Sequence, residues 1–301
     1  MPAEPRGKGS VPAATDDARR VEGLDALELV STRGAGGGLL GPAGRAWQAS
    51  WPKLLAVALA LAAWQLVVWS GWKPEFVLPG PDRVLPALAA EVASPEFWEA
   101  VRVTMRRAVT GFLLAVAVGA ALGIAVARFA PLRSAIGSII TGLQTMPSIV
   151  WFPFAMLLYG INESAIMFVI VLGAAPSIAN GLISGIDYTP PVLLRAGNVM
   201  GLRGVTRYRL LTIPAALPLF VSGLKQGWAF AWRSLMAGEL LVIINQQNSI
   251  GWALSQARAM NDAERLLSYI IIVLVIGLLI DLLFSRADRS IRRRWGLEQS
   301  G

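Results

Sequence analysis

No cysteine and no histidine occur anywhere in the chain. The first absence excludes disulfides, thiolate metal sites and cysteine nucleophiles. The second removes the commonest general base and the commonest metal ligand. Charge is scarce too, at 15% of residues against about 25% in an average soluble domain. No G-x-x-x-x-G-K-[ST] stretch is present, so the chain has no P-loop with which to bind a nucleotide. What is abundant is apolar: 55% of the 301 residues are hydrophobic. They fall in runs too long and too many for a soluble core of this size to bury. The composition therefore predicts an all-α fold, a polytopic bundle of membrane helices.

Crossing about 30 Å of hydrocarbon takes about 20 apolar residues. About six stretches approach that length: Leu54–Ser70, Ala108–Ala127, Ile136–Leu158, Ala165–Ile186, Leu217–Ile244 and Leu267–Ser285. Residues 1–50 differ in kind. They are rich in Gly, Ala, Pro and charge and have no sustained apolar period, which reads as a disordered cytoplasmic tail before a membrane domain at 51–301 with its core at 100–286. No apolar run follows a basic start, so a cleavable signal peptide is not expected.

The net charge of +8 sits at the ends of apolar stretches, a membrane pattern and not a nucleic-acid face. With both termini in the cytoplasm, most of the 27 Lys and Arg fall inside, including Arg128, Arg133, Arg195, Arg203, Arg207, Arg209 and the cluster from Arg286 to Arg294. Arg102, Arg106 and Arg107 run against this bias, at the outer mouth of the second span. Outside, Pro81–Val92 and Pro95–Arg107 are expected as short surface helices, the second opened by Ser94 as N-cap, Pro95 and Glu96. Asn245–Arg265 is expected to start in turns and continue as a short helix.

The longest inner loop, Asp187–Pro218, is basic and amphipathic. Leu193, Ala196, Met200 and Leu202 recur near helical spacing, Gly201 breaks the helix, and a second short helix is expected from near Val205. A helix–turn–helix of this kind suits a groove on a cytoplasmic partner.

This loop resembles the EAA-x3-G-x9-I-x-LP segment of type I ABC importer permeases, through Arg195, Ala196, Gly197, Gly201, Leu211, Ile213 and Pro214. Arg195 stands where the family has an acidic residue, Gly197 where it has a second Ala, and Ile213 where it has Leu. Other pieces look like the nitrate, sulfonate, taurine and bicarbonate branch of these permeases: Phe76–Pro81, Arg107 with Gly111 and Phe112, Met146-Pro147, Trp151-Phe152-Pro153, Tyr159-Gly160-Ile161, Gly223-Leu224-Lys225, Ala231-Trp232, Gly238-Glu239 and Trp295.

The resemblance implies a permease subunit in the bacterial inner membrane, working with two ABC ATPase subunits, a second permease (the same or a related chain) and an extracytoplasmic solute-binding protein. It implies no cofactor on this chain, since ATP and Mg would sit on the ATPase, and no nucleic-acid partner. The solute would be a small anion such as a sulfonate, taurine, nitrate or bicarbonate. The seven loop residues above would carry coupling.

In the fifth span, at about 100° per residue, Lys225, Trp228, Trp232, Met236 and Glu239 share a stripe about 80° wide, with Arg233 beside it. Charges at this depth cost about 3 kcal/mol or more unless they face a partner or water. Two readings stay open: structural pairing, such as Lys225 with Asp281, or a translocation path with Trp228 and Trp232 as its gate. Met146, Pro147 and Trp151 likewise read either as a kink or as path lining. Gly119 and Gly123 read as helix packing. A stand-alone channel or secondary transporter and a membrane-embedded enzyme are the rival functions. The first would be marked by an inverted repeat, which is not seen. The second would have only Lys225, Arg233, Glu239 and Asp281 to work with.

Overall fold

The computed structural model describes residues 42–244 and 247–294. The expected tail lies outside them up to residue 41. Its last stretch, however, is helical: α1 runs Pro42–Trp69, ahead of the boundary expected at residue 50. Pro42 suits a first helical turn, and nothing between it and Ser50 breaks a helix. The chain divides into two compact units, Met1–Leu66 and Val67–Gly301.

In the second unit, α2 is Pro81–Ala93. A helix then opens at Ser94, whose Oγ accepts from Phe97 N at 3.2 Å. It does not stop at Arg107. α3 is one 34-residue helix, Pro95–Arg128, where a surface helix and a separate span were expected. No Gly or Pro interrupts the segment around Arg107, and that side chain is buried and paired, so the chain has no reason to turn.

The third expected span, Ile136–Leu158, is corrected in the opposite sense. α4 (Ala130–Thr145) ends at Met146, which Pro147 holds extended at φ −79° and ψ 129°. A 3₁₀ turn at Ser148–Trp151 leads into α5, Phe152–Tyr159, and the two halves meet at 103°. Gly160, at φ 76°, ends α5.

α6 (Glu163–Asp187) is capped by Asn162, which accepts from Ser164 N and Ala165 N at 2.9 and 3.3 Å. The loop after it folds as α7 (Pro191–Val199), a break at Gly201 with φ 76°, a short α8 (Gly204–Arg207) and a π-helical turn (Tyr208–Thr212). That turn runs directly into α9, Ile213–Leu241, which starts four residues before the expected Leu217. α10 (Ile250–Ala259) and α11 (Ala263–Arg294) complete the chain. Asn245 and Gln246 of the expected turn lie outside the described residues, as does Trp295.

Among the described residues four helices can cross a membrane by length and composition: α1, α3, α6 and α11. The bent α4–α5 pair makes five. α9 is long enough, at 29 residues, but its polar residues keep it out of that count. It nonetheless lies along α6 for most of its length.

α6 is the axis of the second unit because its small residues let both neighbours close in. A Cβ on Gly119 would lie 2.6 Å from Ala175 O, and one on Gly123 would lie 3.0 Å from Ala179 O, so α3 runs parallel to α6. On the other flank Gly181 meets Gly223 and Gly185 meets Ala216, so α9 runs antiparallel. Ile166, Ile170 and Ile178 fill the interior between them with no exposure.

Candidate functional site

α4 and the 3₁₀ turn after it are held to their neighbours by hydroxyl and amide groups. Ser234 Oγ donates to Ser148 Oγ at 2.8 Å, and Gln144 Nε2 donates to Ser177 Oγ at 3.3 Å. Met146 and Pro147 are exposed on the outside of this elbow, and Trp151 is half-buried.

A second feature lies between α9 and α11. Lys225, Trp228, Trp232, Arg233 and Asp281 line a cavity of about 410 Å³, closed on the α11 side by Val273, Gly277 and Phe284. Lys225 Nζ lies 3.1 Å from Asp281 Oδ1 and donates to Ser285 Oγ at 2.8 Å. Trp228 and Trp232 are buried. Trp228 meets Phe112 edge-on, centroids 5.1 Å apart, and lies 5.8 Å from Phe284. Arg233 turns outward over the Phe230 ring at 4.9 Å.

Glu239 does not join this cavity. Its side chain is fully buried one end further along α9, where Arg107 Nη1 donates to its Oε1 at 3.0 Å. Thr104 Oγ1 donates to Oε2 at 2.9 Å, and Gly251 N donates to the same oxygen at 3.0 Å. Thr104 Oγ1 in turn accepts from Ile250 N at 3.0 Å. Arg107 Nε donates to Glu163 Oε1 at 3.1 Å, and its Nη2 reaches Gln247 Oε1. One carboxylate and one guanidinium thus bind the interior of α3 to the start of α6, the end of α9 and the start of α10. The carboxylate also sits at the positive end of α10.

The eight residues expected along a path therefore occupy three places. Met146, Pro147 and Trp151 lie at the elbow. Lys225, Trp228, Trp232 and Arg233 lie at the α9–α11 cavity. Glu239 lies in the buried cluster. Sequence reasoning had Arg107 as an anomalous outer charge and, with Gly111 and Phe112, as part of the family resemblance, and it missed its partner. The usable signal was in the charges themselves. Once Lys225 is matched with Asp281, Glu239 is an isolated acid in an apolar helix and needs a cation of its own. Thr104, Arg107 and Gly111 also share one face of a continuous helix.

At the opposite end, the loop residues are well separated in exposure. Gly197 is buried; a Cβ on it would lie 2.8 Å from Leu211 Cδ1. Leu202 N donates to Gly197 O at 2.9 Å, closing the α7–α8 hairpin. Arg195, Ala196, Gly201 and Ile213 are exposed and Leu211 and Pro214 half-buried. Around them Val199, Met200 and Val205 stand out at 90%, 67% and 83% exposure, an apolar knob with nothing over it.

The Lys225–Asp281 pair is testable by a double-mutant cycle. Lys225→Ala and Asp281→Ala are each expected to reduce the yield of assembled protein. The double change should lose less than the two combined, with a coupling energy of about 0.5–3 kcal/mol. Additive losses in a thermal-stability assay would show that the two charges do not support one another.

The family model described as binding-protein-dependent transport system inner membrane component matches residues 111–293. Over 236 residues the chain is 27% identical to a probable ABC transporter permease protein of Brucella melitensis, covering 78% of this chain and 94% of that one. It is 24% identical over 232 residues to the taurine transport system permease protein of Escherichia coli, covering 75% and 83% of the two chains. It is 26% identical over 236 residues to the nitrate import permease protein of Synechocystis, covering 75% and 84%. In fold it is similar to an inward-facing methionine ABC transporter chain, with a TM-score of 0.55 at 20% identity over 66% of this chain and 99% of that one. It is also similar to a chain of a bacterial ABC transporter that imports alginate, with a TM-score of 0.54 at 14% identity over 82% and 99%.

Proposed function

Because the chain belongs to the family of binding-protein-dependent transport system inner-membrane components, we propose that it forms, with a second permease, the path by which a small anion enters the cell. It is a multi-pass inner-membrane protein and the permease subunit of an ABC importer, a transport subunit that works with an ATPase and a solute-binding protein. The solute class rests on relatives named for taurine, aliphatic sulfonates and nitrate. Two ATPase copies hold the ATP and Mg, and both termini of this chain face them.

The observation that carries the coupling role is the α7–α8 hairpin. Burial of Gly197 against Leu211 and the left-handed turn at Gly201 present Val199, Met200 and Val205 together, with Arg195 on the same short helix. Apolar side chains this exposed on a short hairpin are suited to a groove in a partner. Ile213 and Pro214 then start α9 without a break, so a push on the hairpin is delivered along that helix to the α9–α11 cavity and its Trp228 and Trp232. The elbow at Met146, Pro147 and Trp151 lines the path on the other side of α6. The second permease covers α4, where a Cβ on Gly137 or Gly142 would meet nothing within 4 Å.

Val199→Asp and Ala196→Glu are expected to leave the chain inserted and folded while at least tenfold less ATPase co-purifies, a loss of about 1.4 kcal/mol or more in docking. Gly201→Val adds backbone strain of about 1–2 kcal/mol at a left-handed position and should lower coupled transport. If the wild-type chain purifies alone and transports solute without an ATPase, the importer reading fails in favour of a stand-alone carrier.

A further inference from the structure

We propose that the groove between α3, α6 and the base of α9 binds one anionic phospholipid of the surrounding bilayer, its acyl chain against Ile124, Leu182, Leu217 and Phe220 and its phosphate on Arg128.

The groove has a volume of about 500 Å³ and is apolar along its length, with Arg128 and Tyr208 at one end. Its α3 wall runs from Ala120 to Arg128, about 12 Å at the helical rise, which fits within one leaflet of the hydrocarbon layer. It opens on the face of α3 where Ile124 is 54% exposed. No residue of α4 or α5 lines it, so it is separate from the elbow. A polar solute would find almost no hydrogen-bonding partner there, whereas an acyl chain needs none.

Charge selects the headgroup. Arg133, at the same end of the bundle, has its acid: Nη2 lies 2.6 Å from Asp187 Oδ1. Arg128 has no carboxylate among the described residues; its guanidinium stands over the Phe129 ring at 6.0 Å. Arg207, next to the groove residue Tyr208, has its Nε sealed from solvent without an acceptor. Arg209 has no carboxylate among the described residues either. A phosphodiester at the end of the groove supplies the missing anion, and the bilayer supplies it at this depth. A second protein chain over the same face would have to bring a carboxylate instead.

The wall also includes Val205 and Ile213, on either side of the π-helical turn that joins the coupling hairpin to α9. A lipid seated there braces that junction.

The test is native mass spectrometry of the complete transporter, titrated with phosphatidylglycerol or with phosphatidylcholine of the same chains. One retained phosphatidylglycerol per permease copy is expected, preferred over phosphatidylcholine by about fivefold, the factor that corresponds to about 1 kcal/mol for one arginine at the headgroup level. Arg128→Gln should bring that preference to near unity. Ile124→Trp should fill the groove and remove the retained lipid, while Leu122→Trp, about 200° round α3 and outside the groove lining, should leave it. If Ile124→Trp does not assemble, the Arg128→Gln ratio decides alone. Unchanged retention and preference in Arg128→Gln overturns the proposal. So does a disulfide between copies through Ile124→Cys, readable against a native chain without cysteine, because protein would then cover the face.

Discussion

Arg107→Leu is expected to lower stability by about 3–5 kcal/mol, enough to remove most of the folded protein, because it leaves the Glu239 carboxylate buried and without a cation. Glu239→Leu should cost less, because Arg107 keeps Glu163 at 3.1 Å. Both groups are enclosed: the Glu239 side chain has no exposure and the Arg107 side chain 3%. Neither can turn to water when its partner is lost. The double change should recover part of the loss. Recovery will be incomplete, because Gly251 N and Thr104 Oγ1 lose their acceptor and Gln247 loses its donor, while Glu163 keeps Arg106 at 3.2 Å. Each unsatisfied group costs about 1–3 kcal/mol. Arg107→Lys is the informative conservative change. It keeps the charge but cannot reach Glu239, Glu163 and Gln247 at once, since the guanidinium bonds them from three different nitrogens. Thermal unfolding in detergent, followed by size-exclusion recovery, reads all four variants. Single variants as stable as the parent would show that the cluster does not hold these helix ends.

The second large effect is steric. Gly181→Val is expected to destabilise by about 3 kcal/mol or more, at the upper end of overpacking costs, because the new Cβ would lie 2.6 Å from Gly223 Cα and 3.1 Å from Leu219 O. The obstacle is backbone, so no side-chain rotation relieves it and α6 and α9 must separate. Gly142→Ala on α4 is the contrast, since a Cβ there meets nothing within 4 Å. It should gain up to about 1 kcal/mol of helix propensity in the isolated chain. A loss of folded yield in Gly142→Ala equal to that in Gly181→Val would mean that α6 and α9 are not the packed pair described.

Much of the architecture was legible because it rests on local rules. Apolar length marked α1, α3, α6 and α11. Ser94 and Pro95 marked the start of α3, and Gly201 marked the break inside the α7–α8 hairpin. Each follows from a few neighbouring residues, and the structure places each where those residues require. The three corrections in the membrane domain concern continuity. Arg107 looked like a boundary because a charge suggests water, yet it continues α3 because a distant carboxylate accepts it. Ile136–Leu158 looked like one span because its composition is uniform, yet Pro147 forces Met146 extended and the two halves meet at 103°. α9 begins at Ile213, where the π-helical turn feeds into it without a gap.

The site divides along the same line. Helical periodicity alone put Lys225, Trp228 and Trp232 on one stripe, and one cavity contains all three. The sequence of this chain by itself determined that it is a helical membrane protein, that Gly119 and Gly123 mark a packing face on one span, and that a hairpin with a glycine hinge interrupts the bundle. These depend on composition and on spacings within one element. Only the tertiary structure decided that Glu239 belongs with Arg107, 132 positions away, that Trp228 packs on Phe112 and Phe284, and that Arg128 ends an apolar groove while Arg133 holds Asp187. Those pairings depend on which helix ends meet. That is set by how closely Gly119, Gly123, Gly181 and Gly223 let α3, α6 and α9 approach, a property of several helices at once that no single stretch of sequence contains.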